Sequence, residues 1–216
     1  NGEIAHLAFH QARFDKTRSE LYGSYQKIVL SEHLNPPKEA LYRVRVEYAQ
    51  EIMKIEYIPY TPRHFEKFAL VEADINYKHK YCDRDALNKH LRPDVDDVLF
   101  MCNGKLQDTS IANIALLIDG KWQTPHHPLL EGTTRARLLA SGMLQSAHLD
   151  IKSLQKAEKF AIMNALIGFK IIDNVAVSGS FTTNIEVNDA FCHSCGYSMQ
   201  EIIGQNPRIL KSGRQH

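Results

Sequence analysis

Residues 98–135 read VLFMCNGKLQDTSIANIALLIDGKWQTPHHPLLEGTTR. Two turn dipeptides, Asn103-Gly104 and Asp119-Gly120, sit between short apolar runs. Such pairs favour the positive-φ turns that close hairpins. Residues 98–102, 114–118 and 121–124 are therefore expected as short antiparallel strands. Between the first two lies Asp108-Thr109-Ser110-Ile111-Ala112-Asn113, which packs an acid, two hydroxyls and an amide into a short connection. Downstream, Pro125 and Pro128 break the chain, and Gly132-Thr133-Thr134-Arg135 opens a helical pattern through Leu138, Leu139 and Met143. A helix that starts Gly-Thr-Thr offers free N–H groups and hydroxyls to an anion. Each piece alone is accounted for by a hairpin or a capped helix.

Working outward, residues 3–24 read as a short strand followed by a helix, with Gly23 suited to the helix end. Residues 25–36 form a helix-like stretch that stops at Pro36-Pro37. Residues 41–48 alternate as a strand should, and 52–58 are expected to pair with them. Arg43 and Arg45 share a face with Glu47. Cross-strand ion pairs on a solvated face are the plain reading, and contact of one arginine with a substrate carboxylate is the functional one. Residues 67–77 read as a strand leading toward Lys80, where Lys78 and Lys80, two apart, would point the same way. A helix is expected over 83–91, closed by Pro93. Asp94, Asp96 and Asp97 then make a solvated acidic loop; three carboxylates without further ligands do not make a metal site. Helices are expected over 134–146 and 150–158, the second capped by Asp150. A buried strand follows over 160–166.

Composition bounds the function. At 216 residues the chain holds one or two domains, and 44% hydrophobic with 24% charged residues is ordinary for a soluble globular protein. A net charge of +1 argues against bulk attraction to nucleic acid or anionic membrane. No apolar run approaches a membrane span. Four cysteines in a chain this long do not suggest a disulfide framework, so the cytoplasm is the expected compartment. Asn1-Gly2 reads as a hairpin turn whose first strand would precede residue 1.

Asp-Thr-Ser-x-Ala-Asn-Ile, a strand, and then Thr-Pro…Pro-Leu-Leu-x-Gly-Thr-x-Arg resemble the signature region of class IV aminotransferases. Three further motifs fall in the family's order: His-x-x-Arg at His10–Arg13, Lys-x-x-x-Arg at Lys80–Arg84, and Asn-Ala-Leu at Asn164–Leu166. The likeness spans roughly residues 1–172 and is greatest to short members resembling 4-amino-4-deoxychorismate lyase. It implies an α+β fold of two α/β lobes with antiparallel and mixed sheets: a small lobe over 1–76 and a larger one over 77–172. It implies pyridoxal 5'-phosphate (PLP) between them, a small-molecule substrate and a homodimer. By the same resemblance Lys80 is the catalytic lysine, and Arg13, Thr133, Thr134 and Ser110 hold the cofactor phosphate. Asp108, where many members carry Glu, faces the pyridine nitrogen, Asn113 fixes the loop, and Arg43 is the substrate-side candidate. Three activities stay open: a lyase releasing pyruvate and 4-aminobenzoate for folate synthesis, a D-amino-acid or branched-chain transaminase, and a degenerate enzyme domain in a signalling protein.

The last reading comes from the tail. Past Asp173 the composition shifts to Val, Ser, Gly, Thr and Asn. Residues 184–192, Gly196-Tyr197-Ser198 and 201–207 resemble the first half of a PAS sensor domain. The segment 173–216 is expected to be poorly packed, since a half-sheet cannot bury its apolar face. Cys192-x-x-Cys195 with His193 lacks the further ligands a zinc site needs.

Overall fold

The computed structural model describes residues 3–179, residue 174 excepted. The first described element is helix α1, Leu7–Tyr22, and described residues 3–6 form no strand. His6 precedes α1 in a left-handed conformation, and Gly23 ends it at φ 60° with its N–H on the Ser19 carbonyl. The helix-like stretch after it shrinks to one turn, α2, Leu30–His33. The reason lies in α1, whose side chains use the backbone groups a helix would need. Arg18 donates to the Gln26 carbonyl, and Gln11 both donates to the Ile28 carbonyl and accepts from the Leu30 N–H.

Strands β1, Tyr42–Tyr48, and β2, Ile52–Pro59, pair antiparallel as expected and form a sheet of their own. Phe14, Ile28 and Leu30 make the small core beneath them, packed against Val46, Tyr48 and Ile52. Strand β3, Lys67–Glu72, precedes the lobe boundary expected near residue 76, yet it belongs to the next sheet. Among the described residues β1 and β2 pair only with each other, while β3 pairs with the strands Asp97–Cys102 and Ala176–Ser178. β3 also stops five residues short of the expected strand end. Ala73 N–H still bonds the Met101 carbonyl, and the chain then runs without regular structure to one helical turn, α3, Asp85–Asn88.

The signature stretch builds four strands: β4, Asp97–Cys102; β5, Lys105–Thr109; β6, Asn113–Ile118; and β7, Lys121–Pro125. Both expected turns are present, with Asn103-Gly104 at φ 49° and 70° and Asp119-Gly120 at φ 50° and 68°. β5 was not expected, because Gln107, Asp108 and Thr109 look like a connection. The chain then continues through α4, Thr133–Ala140; β8, Gln145–Ala147; α5, Ile151–Lys156; β9, Lys159–Asn164; β10, Gly168–Ile172; and β11, Ala176–Ser178. Asp150 caps α5 as expected, in a capping box with Ser153.

One mixed sheet has the order β11-β3-β4-β5 and a second has β10-β9-β6-β7-β8. β4 and β6 therefore lie in different sheets rather than side by side. Successive side chains in a strand point to opposite faces. Leu99 and Met101 of β4 accordingly meet Ile114 and Leu116 of β6 and Phe160 and Ile162 of β9 in the core between the sheets. Val98 and Phe100 face the other way, onto Tyr77, Leu87 and Leu129. Ala115, Ala161 and Met163 pack against Leu138 of α4. Covering both faces explains why these strands read as continuous apolar runs.

Two further expectations are corrected. Residues 176–178, placed in the tail, form β11 and pair parallel with β3. The rest of the PAS-like segment, with Cys192, His193 and Cys195, lies outside the described residues. The acidic loop is not simply solvated. Asp96 accepts the amides of Glu66 and Lys67, each at 2.8 Å, and Asp97 is buried at the start of β4. No helix among the described residues is long and apolar enough to cross a membrane.

Candidate active site

The chain passes from one sheet to the other at residues 109–112, where Thr109 ties the turn. Its hydroxyl accepts the Ala112 N–H at 3.0 Å, and its own N–H bonds the Ala112 carbonyl. This places Asp108 at the end of β5 and Asn113 at the start of β6, both buried. Asn113 Nδ2 donates to Asp108 Oδ1 and to the Leu130 carbonyl, each at 2.8 Å. Asp108 Oδ2 accepts the Leu130 N–H at 2.9 Å. Burial pushes the Asp108 pKa up to about 7, although these bonds and nearby Arg135 pull it down. Ser110 is also buried, and its carbonyl accepts Arg84 Nη2 at 2.7 Å.

Gly132 precedes α4 in extended conformation, and no side chain caps the helix. The first amides of α4 have no partner within the helix and form a positive pole. Thr133 and Thr134 stand at this pole, both buried. Arg135 is buried too, anchored to the Pro125 carbonyl at 2.7 Å.

A cavity opens in front of this pole. Its walls come from α1, from residues 78–80 and from residues 130–136. Arg13, Lys80 and Thr133 line it together. Asp108, Ser110 and Asn113 are not among the residues that line it; Asp108 and Asn113 form a buried polar pair bonded to the Leu130 backbone. Arg43 lies on the β1–β2 hairpin. It makes no ion pair or hydrogen bond among the described residues, whereas Arg45 is paired with Glu47 and Glu56.

Lys80 stands on the irregular segment, not on a strand, so its separation from Lys78 is not set by strand alternation. Lys78 pairs with Glu20 at 3.6 Å. Lys80 is open to the cavity yet crowded by protein. That crowding, with Arg13, Arg84 and Arg43 facing it, lowers its pKa to about 8. His10 is likewise held near 4, by burial and by Arg13, His6 and Lys80, and is neutral at pH 7. Arg13 is half-buried and makes no hydrogen bond or ion pair among the described residues; Tyr48 and Tyr77 are its electrostatic neighbours. Such an arginine beside a free helix N-terminus and a depressed lysine amine suits a ligand carrying both a phosphate and a carbonyl.

Sequence reasoning missed the ionic groups of this cavity. Lys16 bonds Glu131 at 2.6 Å, and Glu20 pairs with Lys16, Lys78 and His79. No motif links residues 115 positions apart, so only the i, i+4 spacing of Lys16 and Glu20 was visible.

Comparison with known proteins agrees with this architecture. The Amino-transferase class IV family matches residues 76–175. A Haemophilus influenzae protein described only as uncharacterized is 32% identical over 176 residues, covering 78% of this chain and 94% of that protein. A crystal structure of a candidate 4-amino-4-deoxychorismate lyase from Haemophilus somnus superposes with a TM-score of 0.71 at 29% identity, over 77% of this chain and 92% of that one. A candidate amino-acid aminotransferase from Mesorhizobium loti gives 0.64 at 24% identity, over 77% and 90%. The chain belongs to the class IV aminotransferase family, and its mixed sheets are those of fold-type IV enzymes.

Proposed function

We propose that this protein is a PLP-dependent enzyme, most specifically a lyase that cleaves 4-amino-4-deoxychorismate to pyruvate and 4-aminobenzoate. The observation that carries it is the convergence on one cavity of Lys80, partnerless Arg13 and the open N-terminus of α4. The likeness to the Haemophilus somnus protein favours the lyase. Transaminases share this architecture, so amino-acid transamination is the competing reading.

PLP, when bound, supplies an electron sink for the carbon bearing the substrate amine. Arg13 and Thr133 would hold its phosphate with a guanidinium fork, a hydroxyl and the free amides at the start of α4, to which Thr134, buried outside the cavity lining, would add its amide. Lys80 would hold the cofactor through Nζ, and its amine is the group that would move a proton at the substrate carbon, as base and then acid. Its pKa near 8 suits that work: roughly a tenth is free amine at pH 7, against about one part in three thousand for an ordinary lysine. Asp108, behind the wall, would favour the protonated ring nitrogen to the extent that it is ionised. Asn113 holds Asp108 and the Leu130 turn in register. The Ser110 backbone carbonyl holds Arg84, one of the cations that face Lys80. Arg43, whose side chain makes no ion pair among the described residues, would meet a substrate carboxylate. The working unit is a cytoplasmic homodimer, and light scattering of the active protein tests its order.

Product analysis tests the reaction. Pyruvate and 4-aminobenzoate in equal amounts from aminodeoxychorismate support the lyase. Amine transfer to keto acids without either product supports the transaminase.

A further inference from the structure

The segment that carries Lys80 has almost no backbone scaffold of its own. After Ala73 its backbone bonds to the sheet cease, and its local ties are the short turn from Tyr81 N–H to the His79 carbonyl and the Tyr77 hydroxyl, which donates to the Tyr81 carbonyl at 3.0 Å. Within it, Lys78 and Lys80 are open and His79 is buried. The His79 ring meets the Tyr81 ring edge-on at 5.8 Å, and its Nε2 lies 3.4 Å from Glu20 Oε2 on α1. One turn earlier, Lys16 reaches across to Glu131, next to the start of α4. The helix that presents Arg13 thus holds both other walls of the cavity.

We propose that Glu20 is a positioning residue: through His79 it sets where Lys80 stands relative to Arg13 and the start of α4. This rests on the reading of Lys80 as the reactive amine. The groups facing Glu20 are Lys16, Lys78 and His79; those facing Lys80 are Arg13, Arg84, Arg43 and His10. Glu20 is not among the charges that shift Lys80. Its removal therefore acts on Lys80 through position, and the direction of the change is diagnostic. A segment released toward water, away from the arginines, regains an ordinary lysine pKa. Simple loss of a nearby negative charge would lower it instead.

The test uses the full chain without cofactor. Trace acetylation by acetic anhydride from pH 6 to 11, read on the Lys80 peptide by mass spectrometry, gives the titration of that amine. In Glu20→Ala the midpoint is expected to rise by about one pH unit or more, with a roughly tenfold loss of reactivity at pH 7.5. Lys16→Ala, which releases Glu131 but not His79, is expected to stay near the parent. If Glu20→Ala has no cooperative unfolding transition, His79→Gln probes the pair from its other side, with the same rise expected. A midpoint that is unmoved or lowered in the folded variant overturns the proposal. Absence of a PLP adduct on Lys80 in the parent would overturn the enzymatic reading but leave this titration interpretable.

Discussion

The Asn113 side-chain oxygen occupies the space where a Cβ on Gly132 would be. This glycine has an ordinary extended φ of −67°, so close approach, rather than backbone freedom, requires it. The contact explains why the two halves of the signature go together. Asn113 can hold Asp108 and the Leu130 carbonyl only if residue 132 has no side chain.

Gly132→Ala is therefore expected to displace Asn113 and destabilise the protein by about 1–3 kcal/mol. Calorimetry should show Tm lower by roughly 3–10 °C. PLP affinity should fall with it, because the start of α4 moves.

Asn113→Ala removes a bond that pulls the Asp108 pKa down. The pKa is then expected to rise further above 7, so Asp108 stays protonated to higher pH. The carboxylic-acid C=O stretch in infrared spectra against pH reads this directly. Because the native pKa already lies above the usual aspartate value, Asp108 disfavours folding increasingly as pH rises from about 4 to about 7. Asn113→Ala extends that window upward.

These residues show what was legible. The Asn-Gly and Asp-Gly turns, the paired strands at 42–59 and the α5 cap were readable because their causes are local. β5 was hidden because buried Asp108 and Thr109 are satisfied by Asn113, Leu130 and Ala112, residues that local pattern does not connect. β11 pairs with a strand more than 100 residues earlier, beyond any local pattern. The expected helix over 25–36 lost its backbone groups to Gln11 and Arg18. In the cavity, family motifs pointed to Arg13, Lys80 and Thr133. The braces Lys16–Glu131 and Glu20–His79 exist only in three dimensions.

Arg18 is fully buried without an acidic partner among the described residues. It donates to the Gln26 and Gln50 carbonyls and to Ser24, and lies over the Phe14 ring. Arg18→Met leaves those carbonyls unpaired and is expected to cost about 2–4 kcal/mol. Hydrogen exchange should rise first in α1 and the β1–β2 hairpin.

Arg13→Ala is expected to weaken PLP binding roughly 10–100-fold, the scale of one lost charge-assisted pair. It should also raise the Lys80 pKa, since Arg13 helps depress it. Covalent capture of PLP needs the unprotonated amine. In the parent its rate is expected to climb with pH through about 8 and level off above, and in the variant the rise should move to higher pH.

The central claim is that Lys80 is the residue that holds the cofactor. Purified protein mixed with PLP should show a visible absorbance band that borohydride removes, leaving a cofactor-derived mass on the Lys80 peptide. The account predicts that band in the parent and in Lys78→Ala, and its loss in Lys80→Ala. A band that survives Lys80→Ala, or none in the parent, would contradict it.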